Sequence, residues 1–197
     1  MQTFSLELVP EYFAFAKKGD VFVFDTETTG LNDSDDIVQL AMLHVKDGQV
    51  KSASSAYIRS TVKIDGTEAA SVNGLSDDFL DLNGKPPITV LGAFRMTLCE
   101  TIERYGRCLL VAHNLPFDLR MVNNALKRYG MDSLPDGIIG CDTKEFVKAL
   151  NLPKSILPNN RLCSCVDSFA LDAQNTHDAM DDVMACYRLF QFLTAET

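Results

Sequence analysis

No segment of this sequence approaches the roughly 18–20 uninterrupted apolar residues that a membrane-spanning helix requires. The first twenty residues also lack the basic stretch, apolar run and small-residue cleavage site of an export signal. A cytoplasmic location is therefore the expectation, with no membrane partner. Histidine is scarce, at three, and of the six cysteines only Cys163 and Cys165 lie close together. That is not zinc-site spacing, and a disulfide framework is not expected without an export signal, so reduced thiols follow. Positive charge is short as well. Lys and Arg number 18 against 27 Asp and Glu, a net charge of −9 with a pI near 4.7. Broad, non-specific grip on duplex DNA depends on neutralising phosphates with cationic side chains, and this balance argues against it. Action on a strand end held in a cleft is not excluded, because bound cations bring their own charge and their carboxylate ligands enlarge the acidic count.

What is present is an ordinary globular mixture, 46% hydrophobic over 197 residues, suited to one domain spanning 1–197. Val21–Phe24 predicts a buried strand that delivers Asp25 at its end. Ile37–Val45 and Ala53–Ile58 predict two more strands, joined by a hairpin turn at Lys46-Asp47-Gly48. Short helices are expected at Thr67–Val72 and Asp77–Leu82, and a longer one at Leu91–Tyr105. Cys108–His113 and Ile138–Asp142 read as strands, and Phe117–Tyr129, Lys144–Leu150 and Asp178–Leu193 as helices. Asn151–Arg161 reads as a loop. The order implies an α/β fold, a mixed sheet with helices packed on it.

Four acids and one histidine stand out. Asp25 and Glu27, two positions apart on extended chain, face the same side, and a divalent cation is the simplest relief for their mutual repulsion. The bland alternative is a solvated strand end. Asp118 lies in the first turn of its helix, where the helix dipole alone would also account for it. Asp182 continues the apolar stripe of the last helix, whereas Asp178 and Asp181 are expected to point elsewhere. His177 precedes that helix and is free to swing over a substrate, or is simply an exposed histidine. His113 reads equally as a structural histidine or as support for the site, and Phe117 as core ahead of a stacking platform.

The segments FDTETTGL (Phe24–Leu31), HNLPFDLRM (His113–Met121) and HDAMDDV (His177–Val183) resemble the three exonuclease motifs of the DEDD superfamily. They resemble specifically the DEDDh branch, which includes the proofreading subunit of bacterial replicative polymerases, ribonuclease T and oligoribonuclease. The resemblance extends to Glu68-Ala69 and Val72-Asn73-Gly74-Leu75, where the family usually has His at the position of Asn73, and to Cys141-Asp142-Thr143. The motif-bearing core runs from about 21 to 192. The tyrosine-bearing branch does not fit, since its tyrosine would stand at Asp178.

The resemblance implies a ribonuclease H-like fold, a mixed five-stranded sheet flanked by helices. It also implies a metal-dependent 3′→5′ exonuclease that releases nucleoside 5′-monophosphates from single-stranded or frayed 3′ ends. Asp25, Glu27, Asp118 and Asp182 would hold two divalent cations, Mg²⁺ or Mn²⁺, with Asp25 bridging them and His177 as general base. The backbone around Thr26 and Thr28 would bind the terminal sugar, Leu31 would pack on its base, and Asn114 would orient the second motif or touch substrate. The expected partners are a nucleic-acid 3′ end, DNA ahead of RNA, and a polymerase or other replication or repair protein. Two enzyme rivals stand beside this reading, an RNA-trimming exonuclease and a degrader of short oligonucleotides. The non-enzyme rival is an inactive binding or assembly module.

Overall fold

The computed structural model describes residues 7, 9–174 and 176–195. Five strands form one mixed sheet: β1 (Asp20–Thr28), β2 (Ile37–Lys46), β3 (Gln49–Tyr57), β4 (Cys108–Ala112) and β5 (Ile138–Asp142), in the order β3-β2-β1-β4-β5. β1 pairs antiparallel with β2 and parallel with β4, and β4 continues in parallel with β5. The β2–β3 hairpin closes through Asp47 and Gly48, both at positive φ (52° and 73°), the mirror-image turn that matches strand twist.

Side chains of β1 alternate between two cores. Val21 and Val23 pack with Tyr12 and Phe15 of α1 (Val9–Lys17) and with the last helices of the chain, α6 (Thr143–Ala149), α7 (Leu162–Ser168) and α8 (Ala179–Leu193). Phe22 and Phe24 face the other layer, built from α4 (Pro87–Tyr105) and α5 (Leu115–Arg128). Two short helices, α2 (Glu68–Asn73) and α3 (Asp77–Asn83), gather around a small core of Val38, Ile64 and Leu80. The period-2 alternation carries beyond the apolar run, so Asp25 and Glu27 emerge on the α8 face and Thr26 on the α5 face.

The fold is the mixed five-stranded, helix-flanked sheet expected, with differences in detail. β1 runs on to Thr28, so Asp25 lies inside the strand and not at its end. β3 occupies Gln49–Tyr57, and Ile58 makes only an isolated bridge to Lys85. Neither α1 nor α7 was expected. Residues 151–161 carry no helix or strand, as read. All six cysteines are free thiols, and among the described residues no helix is long and apolar enough to cross a membrane.

Candidate active site

β1 and β4 run parallel, and β4 leads directly into α5, so the ends of both elements meet at one sheet edge. Ligand crevices in open α/β sheets lie at such strand ends. Asn114 makes the turn from β4 into α5 at φ 87°, a left-handed conformation that Asn tolerates. Its N–H donates to Asp142 Oδ1 at 3.1 Å, and the same oxygen caps α6 through the N–H of Lys144 at 3.0 Å. Asp142 thereby ties the starts of two helices together.

Asp118, in the first turn of α5, is buried and aimed at β1. Its Oδ1 accepts from the Thr26 hydroxyl at 2.7 Å and from the Thr26 N–H at 3.2 Å. Asp182 enters from the first turn of α8, also buried. Ligand-type atoms of Glu27, His177 and Asp182 all lie within 4.8 Å of one another. His177 Nδ1 stands 4.0 Å from Asp182 Oδ2, with its ring about half exposed. The structure thus brings Asp25, Glu27, Asp118, Asp182 and His177 to one place from three distant segments.

The electrostatics are those of carboxylates pressed together. Burial first, then the charges of Asp118, Glu27, Asp182 and Asp178, push Asp25 well above the ordinary carboxylate range. Burial and Asp182 raise Glu27 to about 8, against a hydrogen bond from the Asn73 side chain that lowers it. Burial raises Asp118 to about 7 despite its bonds from Thr26. Acids held this close favour a hard divalent cation, which offsets the repulsion and prefers oxygen ligands. The donor set therefore fits a hard divalent cation held by these acids.

Beside the carboxylates opens a cleft of about 670 Å³. Thr26, Thr28, Leu31, Val72, Asn73 and Phe117 are among its walls, and Asn114 is not. Leu31 is 75% exposed, available to a planar group entering the cleft. Phe117 packs one side on the α4–α5 core and turns the other to the cleft. The loop that carries Leu31 is fastened from α5: Arg120 pairs with Asp33 and donates to Leu31 O at 3.1 Å, while Arg128 pairs with the buried Asp36. Within that loop the Asp35 carboxylate lies against Gly30, where a Cβ would stand 2.6 Å from its Oδ2.

His113 resolves to a structural role. Its Nε2 faces the Asn160 carbonyl at 2.9 Å and so must carry the proton, leaving Nδ1 to meet the Thr143 hydroxyl at 2.9 Å. Burial lowers it to about 4, so the ring is neutral. Asp178 differs from its expected outward direction. It is the extended N-cap of α8 and lies outside the helical wheel, with its carboxylate turned onto the sheet and its charge felt by Asp25 and Glu27. Asp181 does point away, to the Thr176 hydroxyl. The reach of Asn73 to Glu27 had no sequence signal beyond its position in the connecting segment.

Comparison with known proteins agrees with this geometry. Residues 22–190 match the family profile described as exonuclease, of ribonuclease T type. The chain is 32% identical over 165 residues to a PolC-type DNA polymerase III of Listeria innocua, covering 83% of this chain and 10% of the polymerase. The corresponding protein of Staphylococcus haemolyticus is 31% identical over 136 residues, covering 68% of this chain and 9% of that one. The chain thus spans about a tenth of the length of these relatives. In structure it is similar to Escherichia coli exonuclease I in its complex with single-stranded DNA, with a TM-score of 0.72 at 18% identity, covering 90% of this chain and 40% of that one. Exonuclease I of Methylocaldum szegediense gives a TM-score of 0.68 at 16% identity, over 88% of this chain and 40% of that one.

Proposed function

The chain belongs to the ribonuclease T-type exonuclease family, and from that premise we propose that residues 1–197 form one domain that removes nucleoside 5′-monophosphates from single-stranded or frayed 3′ ends, DNA ahead of RNA. One observation carries the reading: Asp25, Glu27, Asp118, Asp182 and His177 converge beside a cleft of nucleotide size. All four carboxylates and the histidine are present, which disfavours an inactive binding module.

Asp25, Glu27, Asp118 and Asp182 would hold two divalent ions, which when bound supply charge stabilisation to the phosphoryl oxygens. Thr26 fixes the Asp118 carboxylate with two hydrogen bonds and leaves little freedom for it to turn away. Asn73 steadies Glu27 from the cleft side. Leu31 and Phe117 offer apolar faces to the terminal base, and the Thr28 backbone lies at the same wall for its sugar. His177 takes a proton from the attacking water as its oxygen bonds to phosphorus and the bond to the 3′ oxygen breaks. The half-exposed ring can pass that proton on to solvent.

Similarity to PolC-type polymerases favours a second setting for the same chemistry, trimming mispaired ends beside a polymerase partner. A cytoplasmic site of action goes with either. The deciding assay uses 5′-labelled single-stranded DNA and RNA of one sequence in Mg²⁺, Mn²⁺ or EDTA, with Asp25→Ala alongside. Ladders that shorten from the 3′ end, need the metal and vanish in the variant are expected, faster on DNA. Intact strands in every lane, mismatched duplexes included, would sink the proposal.

A further inference from the structure

The His177 ring stands about half in solvent and 4.0 Å from Asp182, so its side-chain contacts do little to aim it. Its backbone does the aiming, at φ 60°, a left-handed conformation uncommon outside glycine but among those a histidine takes more readily than most residues. The next residue, Asp178, shows what holds that backbone. Oδ1 of Asp178 accepts from Met180 N–H at 2.9 Å and caps α8, while Oδ2 accepts from Gln39 Nε2 at 2.9 Å. Gln39 is buried and uses both ends of its amide here, because its Oε1 accepts from Ala179 N–H at 3.3 Å. Tyr57, beside Gln39 on the next strand, feels the charge of the same Asp178 carboxylate.

These residues form a row. Glu27 on β1 lies opposite Gln39 on β2, and Gln39 lies opposite Tyr57 on β3. The sheet therefore presents Glu27, Gln39 and Tyr57 side by side, and the segment bearing His177 is fastened across the row at Asp178. Tyr57 is itself held by an edge-on contact with Phe79 of α3, ring centroids 4.8 Å apart. The same small core packs Ala69 of α2, which lines the cleft.

We propose that Gln39 and Asp178 are positioning residues, a brace that fixes the backbone at His177 and so holds its imidazole over the carboxylates. The inference rests on the exonuclease reading for the role of His177, and adds residues that the three motifs do not single out. Gln39→Leu removes both amide hydrogen bonds and keeps nearly the same side-chain volume. Asp178→Ala removes the point where the brace attaches.

The test is a double-mutant cycle in single-turnover cleavage of a labelled single-stranded oligonucleotide with Mg²⁺. Each variant is expected to lower the rate about 10-fold, at the lower end of the 10–100-fold typical of residues that support a site from behind. KM should stay within about twofold of the wild type. In a His177→Ala background Gln39→Leu should change nothing further, since the residue it positions is gone. Equal losses in both backgrounds, or no loss in either, would overturn the brace. A wild-type protein without activity would instead remove the exonuclease reading. The brace is then judged by the His177 ring signal in proton NMR, expected to shift and sharpen in Gln39→Leu, and refuted if it does not move.

Discussion

Burial and a neighbouring acid raise Glu27 to about 8, and burial raises Asp118 to about 7, from ordinary values of 4.5 and 3.8. Between the ordinary and raised values the folded chain keeps protons that the unfolded chain gives up. These two acids therefore contribute stability that is fully present below about pH 4 and lost as pH rises through 7 and 8. In EDTA the melting temperature is expected to fall by several degrees between pH 5 and pH 8.5. Mn²⁺ should restore more at the upper end than at the lower. Glu27→Gln should flatten the fall while cutting activity at least about 10²-fold. A melting temperature that rises across this range in EDTA would refute the account. At this scale much of the site was legible, because an acid two places after another on a strand must share its face. Asp178 departs from its wheel position because a cap residue takes extended φ and ψ, and a helical wheel says nothing about it.

At the scale of elements, the wall of the cleft depends on α5. Arg128 donates to Asp36, to Asp33 O at 3.2 Å and to Asp35 O at 3.4 Å, and so spans the loop that presents Leu31. Asp36 is buried and also receives Ser60, Thr61 and Val62, so losing Arg128 leaves it partly satisfied. Arg128→Met is expected to cost about 1.5–3 kcal/mol in urea unfolding, the worth of hydrogen bonds to a charged group. It should raise KM for a single strand more than it lowers kcat. Arg128→Lys should recover only part of both, since an ammonium lacks the guanidinium fork. This pairing could not be read from spacing, because Asp36 and Arg128 meet only once the sheet and α5 are assembled. The same limit hid α7, a seven-residue helix rich in Ser and Cys with no side-chain cap. By contrast α1 carries a readable helical pattern in Val9, Tyr12, Phe13 and Ala16, within a stretch too short to stand out beside the motifs. β3 read short because Lys51, Ser52, Ser54 and Ser55 face solvent on an edge strand and blur the alternation.

For the whole molecule, a net charge of −9 sets how much grip the polyanion receives beyond the site. Few phosphates can be neutralised by such a surface, so cleavage at low substrate should depend weakly on salt. The slope of log rate against log KCl is expected near −1 to −2, the value for about two or three phosphates on a single strand. A slope near −5 would mean a long cationic track that this composition does not supply. The order of the five strands and of the helices between them was legible, since the hydrophobic periods change where those elements change, while α1 and α7 fall outside that reading. The cleft was not, because its walls come from β1, the loop after it, α2 and α5, and no single stretch of sequence carries its shape.

The crowded carboxylates have one more consequence. Near neutral pH, without metal, they hold protons that other acids of the chain have already shed. A cation arriving there displaces those protons into the medium, so its uptake is an exchange and not an addition. Its apparent affinity must then strengthen with pH, and the heat of binding must vary with the ionisation enthalpy of the buffer. The protein is in this sense a local acid reservoir that discharges when its metal arrives.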